Sequence, residues 1–312
     1  MHHADSDTPA THPSAAAIWA PLRPFILAEA RLGRFMARRT WTSGAYEFFR
    51  FGLKQGWACL FGCVAVLLMI VTWRCYPVRA PLPRYDFLFL CMISVQAGLL
   101  ALKMETWEEA KVILIYHAVG TAMEIFKTAV GSWIYPEPSF LRIAGVPLFT
   151  GFMYSCIGSY ICRAWRLFDF RFSNHPPRVS LIALSLAIYA NFFTDHFALD
   201  FRLVLFAAAA ALLFPTTLHF RIWHAYRRMP LLLGFLLVAS FIWLSENIGT
   251  ATKTWLYPSQ HLAWSMVSPA KLGSWFLLVI VSYTLVSLIN APRAFAADAV
   301  DAEAGSTARR AA

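Results

Sequence analysis

The sequence is poor in charged residues. Asp, Glu, Lys and Arg together make up 14% of its 312 residues, whereas hydrophobic residues make up 59%. Soluble globular domains typically have about 25% charged and about 45–50% apolar residues. The composition therefore excludes an ordinary soluble domain and predicts that a lipid bilayer surrounds much of the chain.

Several short motifs are missing as well. The sequence contains no Gly-x-x-x-x-Gly-Lys-Ser/Thr loop and no Gly-x-Gly-x-x-Gly fingerprint, which weighs against an ATP-driven machine and against hydride or flavin chemistry. Its six cysteines form no Cys-x-x-Cys pair and fall mostly in apolar stretches, where cysteine behaves as a small hydrophobe. We therefore predict neither a metal site nor a cofactor.

What the sequence has instead is a series of apolar runs of membrane-spanning length. A span needs about 20 residues. Eight runs of roughly this length predict an all-α fold, a polytopic transmembrane helix bundle, with seven spans as the alternative. The runs are 53–73, 86–102, 112–128, 145–165, 179–195, 201–218, 229–250 and 269–290.

Composition divides the chain into six parts. The two ends are rich in small and polar residues and are predicted to be disordered. A basic segment before the first span mixes arginine with large apolar residues, as an amphipathic helix at a membrane surface or a plain soluble helix does. The parts are the first tail 1–17, the basic segment 18–52, the first four-helix half 53–165, a basic linker 166–178, the second half 179–290 and the last tail 291–312.

Positive charge is distributed unevenly between the predicted loops. With the N-terminus inside, 19 lysine and arginine residues lie in the inner segments and seven in the outer ones. Because cytoplasmic loops carry the excess of basic residues, we predict that both termini are cytoplasmic in a bacterial inner membrane. The net charge of +10 then follows from topology, so the predicted partner is the lipid bilayer and not a nucleic acid.

An internal repeat relates the two halves. A shift of 122 residues places the stretch MEIFKTAVGSWIYPEP (123–138) on SENIGTATKTWLYPSQ (245–260), with Glu, Thr, Ala, Trp, Tyr and Pro residues aligned. Each half holds four helices, so both halves should have the same orientation in the membrane. Parallel repeats of this kind form their sites near the junction of the halves.

Glu124 and Glu246 occupy matching positions in this repeat. Glu124 precedes Trp133 by nine residues, or about 14 Å along a continuous helix. Since tryptophan favours the membrane interface, this spacing predicts that both carboxylates lie near mid-membrane, where ionisable groups are costly and often functional. Lys127, one turn beyond Glu124, is expected to be its partner, while Gly249 leaves Glu246 without a local cation.

Two like carboxylates in unlike surroundings can divide the roles of acid and base. We therefore assign proton chemistry to Glu124, Lys127 and Glu246. Polar stripes on the third and seventh spans, the two Trp-x-Tyr-Pro stretches and the segment YANFFTDHFALDFR surround them, in an outward-facing cavity. The predicted substrate-contacting residues are His117, Thr121, Trp133, Tyr135, Asn191, Asp195, His196, Asp200, Asn247, Trp255 and Tyr257.

Structural explanations compete with these assignments. Glu124 and Lys127 can form an ion pair that joins two helices, and the Trp-x-Tyr-Pro stretches can form an aromatic belt that ends in a helix-stopping proline. Asp195 and His196 also suit a solvated loop. The small residues of the fourth span, Gly151, Ser155, Gly158, Ser159 and Cys162, are interpreted only as a helix-packing face.

Four stretches resemble a known family. They are RFGLKQGWACLFG, YHAVGTAMEIFKTAVGSWIYPEP, AGVPLFTGFMYSCIGSYICRAWRLF and YANFFTDHFALDFR. Together they resemble the bacterial integral membrane proteins of domain of unknown function 817, over residues 47–290. The resemblance implies a polytopic inner-membrane protein and no particular activity. A shorter similarity, an acidic residue before Trp and Tyr, links the chain to the lycopene cyclase domain and the carotenoid hydratases.

Three functions fit this pattern. The first is an enzyme that uses acid/base chemistry on a lipophilic, isoprenoid-like substrate, with aromatic faces that stabilise cationic charge. The second is a proton-coupled secondary transporter of a small solute, whose two halves rock about the carboxylates. The third is a membrane scaffold or sensor that needs no chemistry from them. The sequence leaves open whether the protein is an enzyme and which oligomer it forms.

Overall fold

The computed structural model of the protein describes residues 27–28, 31–33, 36, 40–194, 197 and 199–296. From residue 40 onward, the described residues form nine α-helices. In chain order these are α1 Thr40–Ala58, α2 Leu60–Cys75, α3 Arg84–Ala101, α4 Trp107–Ala129, α5 Thr150–Phe168, α6 Arg178–Thr194, α7 Arg202–Leu213, α8 Leu231–Ala251 and α9 Ala270–Ile289. A 3₁₀ turn, Pro258–Gln260, precedes α9.

Four of the described helices are long and apolar enough to cross a membrane: α3, α4, α8 and α9. The pair α1 and α2, which meets at Cys59 with a bend of 67°, makes a fifth if it is counted as one span. The helices α6 and α7 are apolar but shorter, with 17 and 12 residues. The chain is therefore a mostly helical protein with several membrane-compatible helices, and the eight-span count stays a prediction.

A small β-sheet is the main departure from the predicted all-α fold. Its strands are β3 Arg171–Ser173, β4 Thr217–Arg221, β5 Tyr226–Pro230 and β6 Arg293–Ala294, in the order β5-β4-β3-β6. A separate hairpin pairs β1 Arg142–Ile143 with β2 Val146–Pro147. The sheet was missed because its strands are short, and because β4 and β5 lie at the edges of apolar runs that were interpreted as whole spans.

The sheet closes one end of the bundle. It collects the segments after α5, α7 and α9 and the segment before α8. β3 runs antiparallel to β4 and parallel to β6, so that residues of the predicted C-terminal tail join the fold. Six arginines lie in these segments or beside them: Arg171, Arg178, Arg221, Arg227, Arg228 and Arg293.

Helix α4 begins at a strong local signal. The Thr106 side chain accepts a hydrogen bond from the backbone N–H of Glu109, and the Glu109 carboxylate accepts one from the backbone of Thr106. This reciprocal capping box satisfies two N–H groups that a helix start would otherwise leave without partners. The capping box fixes where α4 begins, and so it fixes the position along the helix of Glu124, which follows Glu109 by 15 residues.

Helix α5 lies at the centre of the bundle and packs closely against α4. A Cβ on Gly151 would lie 2.5 Å from Nδ1 of His117, and one on Gly158 would lie 2.8 Å from the ring of Tyr116. Between them, the Ser155 hydroxyl donates to the carbonyl of Ile113 across the interface. The small residues of α5 therefore form a helix-packing face, since only small side chains allow two backbones to approach this closely.

A buried ion pair lies near the sheet end of α5. The guanidinium of Arg163 is 3.3 Å from the carboxylate of Glu105, and both side chains are fully buried. Gln96 donates a further hydrogen bond of 2.5 Å to Glu105. A charge buried in this way needs a partner, because removing one member leaves the other uncompensated in a low-dielectric interior.

We predict that Arg163→Met lowers the free energy of unfolding by about 3–5 kcal/mol, because Glu105 would then be buried without its cation. Denaturant unfolding of the protein in detergent, followed by tryptophan fluorescence, measures the loss. The control is Lys111→Met, which breaks the exposed Glu108–Lys111 pair and should change little. Equal stabilities for the two variants would contradict the assignment.

Candidate functional site

The site forms where α4 and α8 end and the chain doubles back. After α4, Gly131 has a φ of +75°, in the left-handed region that glycine favours; after α8, Lys253 has a φ of 54°. The two returning segments then pair. The N–H of Ile134 donates to the carbonyl of Leu256 at 2.9 Å, and the N–H of Leu256 donates back at 3.0 Å. This antiparallel bridge brings the two Trp-x-Tyr-Pro stretches side by side.

Glu124 lies beneath this bridge and is buried, with 3% of its surface exposed. Its Oε2 accepts hydrogen bonds from the indole N–H of Trp133 at 2.6 Å and from the hydroxyl of Tyr135 at 2.5 Å. Its Oε1 accepts a third, from the hydroxyl of Tyr154 on α5, at 2.7 Å. In each of these contacts the carboxylate is the acceptor, so both of its oxygens have partners.

Glu246 has a similar but smaller set of donors. It is buried, with 4% exposed, and accepts hydrogen bonds from the hydroxyl of Tyr257 and, at 2.7 Å, from the indole N–H of Trp275 on α9. Tyr257 stands 11 residues after its carboxylate, as Tyr135 stands 11 residues after Glu124. One contact is therefore repeated between the two stretches, and the other donors differ.

The two carboxylates belong to one closed network. The rings of Trp133 and Tyr257 meet edge to face with their centroids 6.0 Å apart, and the rings of Tyr154 and Trp275 are 6.3 Å apart. The carboxylates are near enough for their charges to interact. We call this set the carboxylate network, and its members are Glu124, Trp133, Tyr154, Glu246, Tyr257 and Trp275.

A cation lies on the aromatic faces of this network. The ammonium of Lys271, at the start of α9, is 4.7 Å from the ring centre of Tyr257 and 5.6 Å from that of Trp133. Both distances are within the range of a cation–π interaction. Lys271 also interacts electrostatically with Glu246, so the expectation that Glu246 lacks a nearby cation is wrong. The cation comes from α9, 25 residues along the chain, and not from its own helix.

The expected ion pair between Glu124 and Lys127 is also absent from the described residues. The Lys127 ammonium lies 4.3 Å from the ring centre of Phe192 on α6, and the side chain is buried. Glu124 takes its described partners from three aromatic side chains instead. Its two oxygens face α5 and the returning segment, whereas Lys127 is turned toward α6.

The spacing from which the depth of Glu124 was predicted does not hold. The predicted distance of about 14 Å to Trp133 assumed a continuous helix, but α4 ends at Ala129 and the chain reverses, so that the Trp133 indole reaches Glu124 directly. Glu124 therefore lies five residues, or about 7.5 Å, from the end of its helix. Trp133, Tyr135 and Trp255 are buried inside the protein and do not form a lipid-facing belt.

A clamp from α3 holds the two returning segments together. Arg84 is buried, forms an ion pair with Glu137 at 2.8 Å and donates to the carbonyl of Thr252 at 3.3 Å. The neighbouring Tyr85 hydroxyl donates to the carbonyl of Thr254 at 2.8 Å. One helix start thus binds the segment after α4 and the segment after α8, which keeps the bridge closed.

His117 and Thr121 lie away from the carboxylate network. The Thr121 hydroxyl donates to the carbonyl of His117 at 2.7 Å, within α4. The His117 ring packs on Phe152 of α5, with centroids 4.5 Å apart. Both residues line the close contact between α4 and α5 at Gly151, so their described contacts are those of helix packing.

Asn191 and Asp200 form a separate cluster at the end of α6. Asn191 accepts a hydrogen bond from the backbone of Phe201 at 2.9 Å and donates to Asp200 at 3.4 Å. Burial acts to raise the pKa of Asp200, but hydrogen bonds from the backbone and guanidinium of Arg202 hold that pKa below its usual range. Asp195 and His196, also predicted for the site, lie outside the described residues.

Asn247 and Trp255 have structural contacts next to Glu246. Asn247 accepts a hydrogen bond of 2.9 Å from the backbone of Val267 and so fixes the loop before α9. The Trp255 ring lies across Gly249, where an added Cβ would be 2.0 Å from the ring. The ring therefore occupies the space that a side chain at position 249, the match of Lys127, would fill.

Sequence reasoning missed the two donors that complete the network, Tyr154 and Trp275, and the cation Lys271. The 122-residue shift pairs Tyr154 with Phe276 and Trp275 with Met153, so neither donor shows as a repeated residue. Gly120 is the local signal for Tyr154: an added Cβ would lie 2.6 Å from its ring.

A narrow cleft adjoins the network between α4, α5, α6 and α9. Tyr154 and Trp275 line it with their rings while their polar tips bind the two carboxylates. The remaining lining is mostly aliphatic and aromatic. It comprises Tyr116, Val119, Gly120, Met123, Ile157, Tyr189, Leu278, Val281, Ser282 and Leu285.

Comparison with known proteins gives a family. The family described as "Protein of unknown function (DUF817)" matches residues 47–283. The chain belongs to this family. It is 40% identical over 244 residues to the "Uncharacterized protein YoaT" of Bacillus subtilis (strain 168), covering 78% of this chain and 92% of the relative. No solved structure matches, and these comparisons do not show the similarity to lycopene cyclases.

We predict that Gly249→Ala disrupts the site, because its Cβ would collide with the Trp255 ring next to the Ile134–Leu256 bridge. Overpacking of this kind costs about 1–3 kcal/mol. Thermal unfolding in detergent, followed by tryptophan fluorescence, measures the change. Gly98→Ala in α3 is the control, since nothing lies within 4 Å of its added Cβ; a loss equal to that of Gly249→Ala would contradict the prediction.

Proposed function

We propose that the protein is a membrane-embedded acid/base enzyme that acts on a lipophilic small molecule bound in the cleft. The observation that carries the proposal is the position of Tyr154, whose hydroxyl bonds Glu124 while its ring lines the cleft. Trp275 joins Glu246 to the same cleft in the same way. Each of the two carboxylates is thus connected to the apolar cleft through one hydrogen-bonded aromatic side chain.

Tyr154 would be the proton relay. When Glu124 carries a proton, Tyr154 gives its hydroxyl proton to the ligand, and the Glu124 proton replaces it on the phenolic oxygen. Glu246 takes up the proton that the ligand later releases. Its hydrogen-bond donors differ from those of Glu124, and it lies near Lys271. Such a division of roles requires two carboxylates in unlike surroundings.

The proposed architecture is two four-helix halves with eight spans. Its support is the 122-residue offset between matching features of the two halves. This offset separates Ile134 from Leu256, the end of α4 from the end of α8, and the Tyr135–Glu124 bond from the Tyr257–Glu246 bond. The 12 residues of α7 reach about 18 Å, so this span requires the flanking segments or a locally thinner bilayer.

We further propose that the sheet end is cytoplasmic and that both termini lie on that side of a bacterial inner membrane. The arginines gathered at the sheet end support this orientation. The carboxylate network at the opposite end of the bundle then faces the outer half of the membrane.

A second candidate is a proton-coupled secondary transporter. The observation in its favour is the matched position of the two carboxylates on either side of the bridge, where the proposed halves meet. A transporter of this type binds its solute at such a junction and moves one half against the other.

Mass spectrometry of lipophilic compounds that copurify with the protein in mild detergent tests the enzyme. We expect the Glu124→Gln, Glu246→Gln double variant to retain a compound that the wild type converts. Glu108→Gln is the matched control, since Glu108 is an exposed carboxylate on the same helix. Identical compounds in all three proteins would reject the enzyme, and proton uptake by proteoliposomes on addition of a polar solute would favour the transporter.

A further inference from the structure

We propose that the ligand of this site is a lipophilic organic cation, an amphiphilic amine or quaternary ammonium ion. Its charge would lie among the carboxylates and aromatic faces of the network, and its apolar part in the cleft. The proposal deepens the proposed function by naming the chemical class of the ligand, and it applies to the enzyme and to the transporter alike.

The charge of the network is the first argument. The described donors to Glu124 and Glu246 are neutral indole and phenol groups. With both carboxylates ionised, the network holds two negative charges, and among the described residues the ammonium of Lys271 lies over its rings while that of Lys127 lies over Phe192. A buried excess of negative charge is costly unless a cation or a proton compensates it.

The aromatic faces are the second argument. Lys271 shows that these faces accept an ammonium group, since its nitrogen lies over the rings of Tyr257 and Trp133. Aromatic faces are the usual means by which proteins recognise quaternary ammonium ligands, and in this network two carboxylates lie beside such faces. Lys271 is therefore a cation tethered beside the place where a ligand cation would bind.

The cleft is the third argument, because it sets the shape and polarity of the rest of the ligand. Three of its polar side chains already donate within the protein: Tyr116 to the carbonyl of Ser282, Tyr154 to Glu124 and Trp275 to Glu246. A neutral polar ligand would gain little from these groups. The narrow apolar walls suit a flexible alkyl chain.

Lys271 gives the proposal a distinctive consequence. A tethered cation repels a ligand cation and competes with it for the same ring faces. Replacing Lys271 by glutamine should therefore strengthen the binding of a cation, whereas removing a positive charge weakens the binding of an anion. A lysine with a purely structural role would not produce this gain.

The test compares two probes in protein reconstituted into zwitterionic lipid nanodiscs. Decyltrimethylammonium is the cation, and decyldimethylamine N-oxide has the same chain and a headgroup of similar size but no net charge at neutral pH. Isothermal titration calorimetry measures both affinities, after subtraction of binding to empty nanodiscs. We expect the cation to bind the wild type about tenfold more tightly than the N-oxide.

The variants locate the charge that is responsible. Glu246→Gln should weaken cation binding about tenfold and leave N-oxide binding unchanged, which also shows that the variant is folded. Lys271→Gln should tighten cation binding by about three- to tenfold. Glu108→Gln, the exposed control on α4, should match the wild type.

Equal affinities for the two probes, or cation binding that does not respond to Glu246→Gln and Lys271→Gln, would overturn the proposal. The proposed function has a separate test. If a neutral lipid accumulates in the double carboxylate variant while the cation shows no preference, the enzyme stands and the cationic ligand is rejected. If binding is charge-selective but no compound is converted and no protons are taken up, the cationic ligand stands and the proposed function is rejected.

Discussion

The structure depends on the need of two buried carboxylates for hydrogen-bond donors. An ionised carboxylate away from water is tolerated only where hydrogen bonds or cations replace its hydration. Helices α4 and α8 cannot provide those donors, because their backbone N–H groups are already used within the helices. The chain therefore has to bring side chains back to each carboxylate, and it does so with Trp133 and Tyr135 after α4 and with Tyr257 after α8.

This requirement explains features that lie outside the site. The helices end a turn and a half after each glutamate, and the reversal that follows lets Ile134 and Leu256 pair. Arg84 and Tyr85 of α3 donate to backbone carbonyls of the segment after α8, and Arg84 also pairs with Glu137 of the segment after α4. On α5, Tyr154 reaches Glu124 because Gly120 leaves room for its ring. The hydrogen-bond donors, Gly120 and the contacts of Arg84 and Tyr85 therefore depend on one another.

The sequence predicted the parts of this arrangement that rest on local pattern. Hydropathy predicts most of the helices, and the repeated Glu and Tyr predict both carboxylates and one tyrosine donor to each. It did not predict Tyr154, Trp275 or Lys271, because these come from other helices and do not repeat at the 122-residue offset. The predicted separation of Glu124 and Trp133 is wrong, because the rise of a continuous helix does not apply across a chain reversal, which hydropathy does not reveal.

The two copies of the stretch use the same residue types differently, and the difference begins at one position. In the first copy position 127 is a lysine, and the following tryptophan, Trp133, donates to Glu124. In the second copy the matching residue is Gly249, and Trp255 fills the space above it. Glu246 instead accepts a hydrogen bond from the indole of Trp275 and interacts with Lys271, and both residues lie on α9. Two carboxylates at matching positions thus stand in unlike surroundings, which a division of acid and base roles requires.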